Sequence, residues 1–281
     1  IAEYMAGRGY DVYVITYNRL RRGGIGSLPK EEVINNVKVI RLKPRIIWSY
    51  GSYSPELPEV IKILKPDIVH IHVWRHPHVF QVAKLKKEVG FKAVLHGHAP
   101  FHRFSQLGVV TWIYHRFVDS LGRNFLKSFD LYVALTRYER RIVSKLGFNE
   151  DGIIIIPNGI DEDNCNINFN SKAENQILYL GRIDRSKNLT LLIKSMRYVS
   201  EKIKNTKLIL AGTDEGLVKN LIDYARRHNI NVQYLGEVYG EFKHKLYLES
   251  KIYVLPSLYE AFGITLLEAG IHGTPSVITG S

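Results

Sequence analysis

Residues 176–211 read QILYLGRIDRSKNLTLLIKSMRYVSEKIKNTKLILA, and this stretch decides the fold. Gln176 to Leu180 and Lys207 to Ala211 are short apolar runs of strand length. Leu189 to Ile203, between them, repeats its apolar residues at helical spacing. Two strands joined by a helical crossover run parallel, because a tight hairpin cannot join them. The grammar continues toward the C terminus. A helix is expected over Gly216 to His228, a strand over Val232 to Leu235 and a helix over Glu241 to Ser250. A strand over Ile252 to Leu255, a helix over Gly263 to Ile271 and a strand over Ser276 to Ile278 follow.

Toward the N terminus, Asn164 to Asn175 is polar, rich in Asn and without periodicity, so it reads as a linker. Before it the same alternation appears. Strands are expected at Asp11 to Thr16, Val37 to Leu42, Ile68 to His72, Ala93 to Leu95, Leu131 to Leu135 and Ile153 to Ile156. Helices are expected at Pro58 to Lys65, Val79 to Val89, Val110 to Ser128 and Arg137 to Leu146. Alternation of this kind implies mostly parallel sheets covered on both faces. The expected architecture is therefore α/β: two doubly wound, Rossmann-like domains, residues 1–163 and 176–281, facing a central cleft. Ligands of such sheets sit beyond the carboxyl ends of the strands.

Composition narrows the function classes. The chain has 281 residues, 45% apolar and 23% charged, as ordinary globular proteins do. No apolar run reaches the roughly 18–20 residues that span a bilayer. The single cysteine, Cys165, allows neither an internal disulfide nor a cysteine metal cluster, and a cytoplasmic location fits this. The net charge is +12, most of it in the first half. Such a surface favours anionic partners: nucleotide phosphates, acidic headgroups or nucleic acid. No nucleic-acid-binding signature accompanies the charge, so nucleic acid is set aside. The aromatic, basic segment from Phe101 to Arg123 suits either a helix packed in the first domain or peripheral contact with a membrane at its inner face.

Candidate chemistry lies at strand ends of the second half. Gly181-Arg182 opens the loop after Gln176 to Leu180, and Lys187 closes it. A guanidinium fork beside an ammonium suits a diphosphate. Glu260 follows the strand Ile252 to Leu255. Phe262, Gly263 and Ile264 stand at the start of the next helix, whose free amides can meet an anion. Glu268 lies further along that helix, and each carboxylate can accept hydrogen bonds from paired hydroxyls. Gly212 and Val238 sit at two further strand-end turns. Neither paired carboxylates of the glycosidase kind nor a metal-ligand cluster is visible in the sequence.

Taken together, these residues resemble glycosyltransferase family 4, the retaining GT-B enzymes. The family's paired-glutamate motif appears as Glu260 to Glu268 within PSLYEAFGITLLEAGIHGTPSVIT, and its GR…K element as Gly181, Arg182 and Lys187. Its interdomain segment appears as Ile156 to Asp161, and its first helix and second strand as AEYMAGRGYDVYVIT. The resemblance implies transfer of a sugar, with retention, from a UDP-, GDP- or ADP-sugar to a glycan, a lipid-linked sugar or a small acceptor. It implies that Arg182 and Lys187 hold the diphosphate and that Glu260 contacts the transferred sugar. Phe262, Gly263 and Ile264 would offer backbone amides, Glu268 would grip the ribose and Val238 would meet the base through its backbone. His96 would stand near sugar and acceptor.

No cofactor is required on this reading, although magnesium can assist through the diphosphate. The family pattern also has a strand and a Gly-rich loop before the position of Ile1 and further elements after Ser281, so the chain reads as truncated at both ends. The alternatives are an inactive GT-B protein that binds a nucleotide or glycan, and a GT-B sugar epimerase.

Overall fold

The computed structural model describes residues 1–20, 24–48, 51–98, 101, 108–160 and 175–280. Two compact units divide the chain, one containing Ile1–Phe101 and Val109–Ile156, the other Pro157–Ser281.

In the first unit, α1 (Ala2–Gly7) leads into β1 (Tyr13–Tyr17), followed by β2 (Glu31–Ile34), β3 (Val37–Leu42), β4 (Ile46–Trp48) and β5 (Gly51–Tyr53). Then come α2 (Glu56–Leu64), β6 (Ile68–His72), α3 (Pro77–Val89), β7 (Lys92–His96), α4 (Val109–Leu126), β8 (Leu131–Ala134), α5 (Arg137–Lys145) and β9 (Ile153–Ile155). The strands β6-β7-β8-β9 form one parallel sheet in chain order. β1 pairs parallel with β3, but β2 pairs antiparallel with β3, and β4 and β5 form a separate antiparallel pair. Those three strands were not expected, and they add an antiparallel element to a sheet read as parallel. The β2–β3 hairpin has a local cause. Asn35 and Asn36 both hold positive φ, the conformation a two-residue hairpin turn needs.

The core of this unit is apolar and continuous, centred on Ile71, Trp74, Val79, Leu95, Leu126 and Tyr132. A strongly polar feature within it is a fork of hydrogen bonds on Asp119, a buried carboxylate of α4. Arg75 donates to both its oxygens at 2.8 and 2.7 Å, and Trp74 Nε1 adds a third bond at 2.8 Å. A buried charge so fully paired is tolerated, whereas either partner alone would be costly.

The second unit contains β10 (Gln176–Leu180), α6 (Leu189–Lys202), β11 (Lys207–Ala211), α7 (Val218–Arg227) and β12 (Val232–Tyr234). It continues through α8 (Gly240–Glu249), β13 (Ile252–Leu255), α9 (Ile264–Ile271) and β14 (Ser276–Ile278). Its sheet is wholly parallel, in the order β12-β11-β10-β13-β14. The central strands β10 and β11 are buried on both faces, with Leu178, Tyr179, Leu208, Leu210 and Ala211 showing no exposed surface, whereas the edge strand β14 is exposed. Burial on both faces explains the near-continuous apolar runs of β10 and β11.

From β10 the chain winds outward through β11 and β12, then returns to lay β13 on the other side of β10. The strand order therefore reverses between β10 and β13. A crevice opens beyond the carboxyl ends of two strands at such a reversal, because the following helices leave on opposite faces. The expected linker, apart from Asn175, and Asp161 of the interdomain motif lie outside the described residues, as do residues 102–107 of the basic aromatic segment. No described helix is long and apolar enough to cross a membrane.

Candidate functional site

The loops after β10 and β13 meet at the reversal. Lys187, 73 residues before Glu260, donates from Nζ to Glu260 Oε2 at 2.7 Å. Ser257 Oγ donates to the same oxygen at 3.1 Å. The backbone fastens the two loops as well: Leu258 N donates to Ser186 O at 2.8 Å. Both Lys187 and Glu260 are largely shielded, their side chains 14% and 26% exposed.

Two buried phenols hold the strand ends beneath this pair. Tyr179 donates to Arg182 O at 2.6 Å, and Tyr253 donates to Leu180 O at 3.1 Å. Burial pushes both hydroxyls well above the ordinary tyrosine range, so they stay protonated as donors.

Arg182 extends from the same loop with more than half its side chain exposed and lies 3.3 Å from Asp184 Oδ2. The other oxygen of Asp184 accepts from the Ser186 amide at 2.7 Å and so caps the 3-10 turn Arg185–Lys187. That cap places Lys187 at the end of a rigid turn.

Gly181 and Gly212 are packed backbone to backbone. Gly212 has φ +132, and a Cβ there would stand 1.9 Å from Gly181 O. No side chain fits, so glycine lets the two strand ends approach. Val238 lies half-buried in the segment between β12 and α8.

Gly263 begins α9 with φ +76 and ψ +57, a left-handed conformation natural to glycine. Its N-cap, Gly263, has no side chain with which to cap the helix. At α7 Asp214 accepts from the amides of Gly216, Leu217 and Val218. At the start of α9, beside half-buried Phe262 and exposed Ile264, backbone amides and the helix dipole together favour an anion.

Glu268 stands on α9 and points to α8. Its carboxylate accepts from Lys243 Nζ at 2.8 Å and from Tyr247 OH at 2.9 Å. Neither partner was apparent in the sequence. Both fall inside the helix expected over Glu241 to Ser250, where nothing in the sequence sets them apart. Ser257 was also missed, although its place three residues before Glu260 in a strand-end loop was the available signal.

His96 belongs to the first unit. It ends β7 and pairs in register with His72, which ends β6. Its ring is 6% exposed, and neither ring nitrogen has a hydrogen-bond partner. Gly97 follows it where a Cβ would collide with Tyr132 OH at 1.6 Å, so the backbone can leave the strand there only as glycine. Burial, with His98, His72 and His70 alongside, lowers the His96 pKa to about 4. The ring is therefore neutral at pH 7. The sequence showed no metal-ligand cluster, yet the fold gathers His70, His72 and His96 so that one ring nitrogen from each lies within 4.8 Å of the others. The grouping escaped notice because its members come from two strands and meet only through sheet register.

Family models match both halves of the chain. The profile of Glycosyltransferase Family 4 matches residues 1–164, and that of Glycosyl transferases group 1 matches residues 161–281. The chain is 28% identical over 307 residues to an uncharacterised glycosyltransferase of Methanocaldococcus jannaschii, covering 99% of this chain and 74% of the relative. Among solved structures it is similar to sucrose-phosphate synthase from Thermosynechococcus elongatus, with a TM-score of 0.68 and 19% identity, over 99% of this chain and 73% of that one. It is also similar to Anabaena HepE in complex with UDP and glucose, with a TM-score of 0.66 and 17% identity, over 87% of this chain and 67% of that one. The fold is GT-B, and the chain belongs to glycosyltransferase family 4.

Proposed function

We propose that this chain transfers a sugar, with retention of configuration, from a nucleotide-diphosphate sugar to a glycan, a lipid-linked sugar or a small acceptor. The observation that carries the reading is the meeting of Lys187 and Glu260 at the strand reversal of the second unit, in the segment that leads to the glycine N-cap of α9. A diphosphate bound there would lie against the amides at Gly263 and Ile264. Arg182 and Lys187 would neutralise the charge that builds on the leaving nucleotide, which is electrostatic stabilisation of the transition state. Glu260, already oriented by Lys187 and Ser257, would accept from hydroxyls of the sugar. Glu268, oriented by Lys243 and Tyr247, would accept from the ribose. Gly212 and Val238 would bound the base.

On this reading His96 contacts the transferred sugar or the acceptor. The structure of the relative HepE with UDP and glucose supports a uridine nucleotide as the first donor to try. Proton removal from the acceptor falls to the leaving phosphate, and the reaction needs no resident metal.

The test is an assay of nucleoside diphosphate release with UDP-, GDP- and ADP-sugars against a panel of glycan, lipid-linked and small acceptors. The product's anomeric configuration is then read by NMR. Acceptor-dependent release with the donor's configuration retained is expected. An inverted product would overturn the mechanism. Conversion of the donor sugar without any acceptor would instead mark an epimerase, and binding without turnover a nucleotide-recognition protein.

A further inference from the structure

The first unit carries a histidine cluster of which the proposed transfer uses only His96. β6 presents His70 and His72 on one face, two residues apart, and β7 adds His96 in register beside His72. The alternate residues Ile71 and Leu95 point into the apolar core, so the histidines share the opposite side of the sheet. The rings of His70 and His96 lie nearly parallel, with an interplanar angle of 7°. His96 is buried, and both of its ring nitrogens lack a hydrogen-bond partner. A buried polar group without a partner is uncommon and calls for an explanation.

We propose that His70, His72 and His96 form a binding site for a divalent transition-metal ion of the zinc or nickel kind. Three imidazoles are the ligand set such ions prefer, whereas magnesium and calcium favour oxygen. The distances suit it after a small adjustment. Three nitrogens no more than 4.8 Å apart surround a point about 2.8 Å from each, and a zinc–imidazole bond of about 2.0–2.1 Å asks each ring to advance by about 0.7 Å. His70 and His72 are exposed, so an ion has access from solvent while His96 supplies a ligand from beneath. His98 Nε2 lies 2.8 Å from His72 Nδ1. That contact holds the His72 ring, support of the kind that metal-binding histidines usually have. Water or a ligand atom would complete a tetrahedron. An ion held there occupies a ring nitrogen of His96, so it can withdraw that side chain from other use.

The experiment uses the tag-free chain, stripped with EDTA and dialysed, then exposed to zinc or nickel and desalted, with metal per chain measured by plasma mass spectrometry and affinity by calorimetry. Wild type should retain one equivalent of zinc or nickel and no magnesium. The His70→Ala/His72→Ala variant should bind at least tenfold more weakly, with an unchanged circular dichroism spectrum. His228→Ala, an exposed histidine elsewhere, should behave as wild type. Cobalt substitution gives an independent reading: ligand-field bands should appear with wild type and be absent from the double variant. Retention of no ion by wild type, equal retention by the double variant, or equal loss in His228→Ala would each overturn the site. None of these outcomes depends on sugar transfer.

Discussion

Lys187 Nζ and Glu260 Oε2 lie 2.7 Å apart, joining the loops that follow the two strands between which the sheet order reverses. A cation held by a carboxylate is pre-positioned, and it costs little reorganisation when a phosphate arrives. Lys187→Ala should therefore lower kcat/KM about 100-fold or more, the size of effect seen when a fixed donor to a developing anion is lost. Lys187→Arg should recover part of it. Steady-state kinetics of both variants check this, and equal activity of Lys187→Ala and wild type would remove Lys187 from the chemistry.

Glu268 gives a different signature. It accepts from Lys243 and Tyr247, so Glu268→Ala leaves two partly buried donors without an acceptor. The fold should lose about 1–3 kcal/mol by urea unfolding. Tyr247→Phe removes only one bond and should lose less. On the proposed role, Glu268→Ala also abolishes the stabilisation that nucleotide gives, whereas Tyr247→Phe retains it. A thermal shift series with and without nucleotide separates the two effects.

Gly212 should resist any side chain. Gly212→Ala forces a Cβ to 1.9 Å from Gly181 O in a backbone region that L-residues avoid. A loss of at least about 2 kcal/mol is expected from strain and overpacking together. Gly216 also has positive φ, but open space surrounds it, so Gly216→Ala should cost only about 1 kcal/mol. Similar losses in the two variants would mean that the close approach of the strand ends does not matter.

Acid should weaken the first unit through His76. Burial, with His78 and Arg19 nearby, lowers its pKa to about 4 from 6.5. Between those values the unfolded chain binds a proton that the folded chain refuses. This group's contribution is complete above about pH 6.5 and falls as pH drops toward 4, by at most about 1.4 kcal/mol per pH unit. His76→Gln should flatten the pH dependence of urea midpoints over that window. An unchanged slope would show that His76 takes its proton freely in the native state.

Much of the second unit was legible because its central strands β10 and β11 are buried on both faces. Gln176–Leu180 and Lys207–Ala211 could hardly be other than parallel strands, and helices fill the gaps between them. The first unit was harder. Glu31–Ile34 carries two glutamates in four residues and pairs only along β3, so its sequence lacks the apolar signal of a central strand. Ile46–Trp48 and Gly51–Tyr53 are three residues each, too short for any periodicity.

The candidate site divides in the same way. Arg182, Lys187, Glu260 and Glu268 stood out as candidates because they lie at or beyond strand ends and together match the family's motifs. Ser257, Lys243 and Tyr247 did not, because their role is to orient a carboxylate and is visible only once side chains are placed. The histidine cluster was hidden for a related reason: 24 residues separate His72 from His96, and only the strand register makes them neighbours.

The most direct test of the account is calorimetric titration of UDP, GDP, ADP and their sugars into wild type, Lys187→Ala and Glu268→Ala. One nucleotide series should bind wild type, and its affinity should fall at least tenfold in each variant. Absence of nucleotide binding by wild type, or binding that neither substitution weakens, would contradict the assignment of the second unit as the donor site.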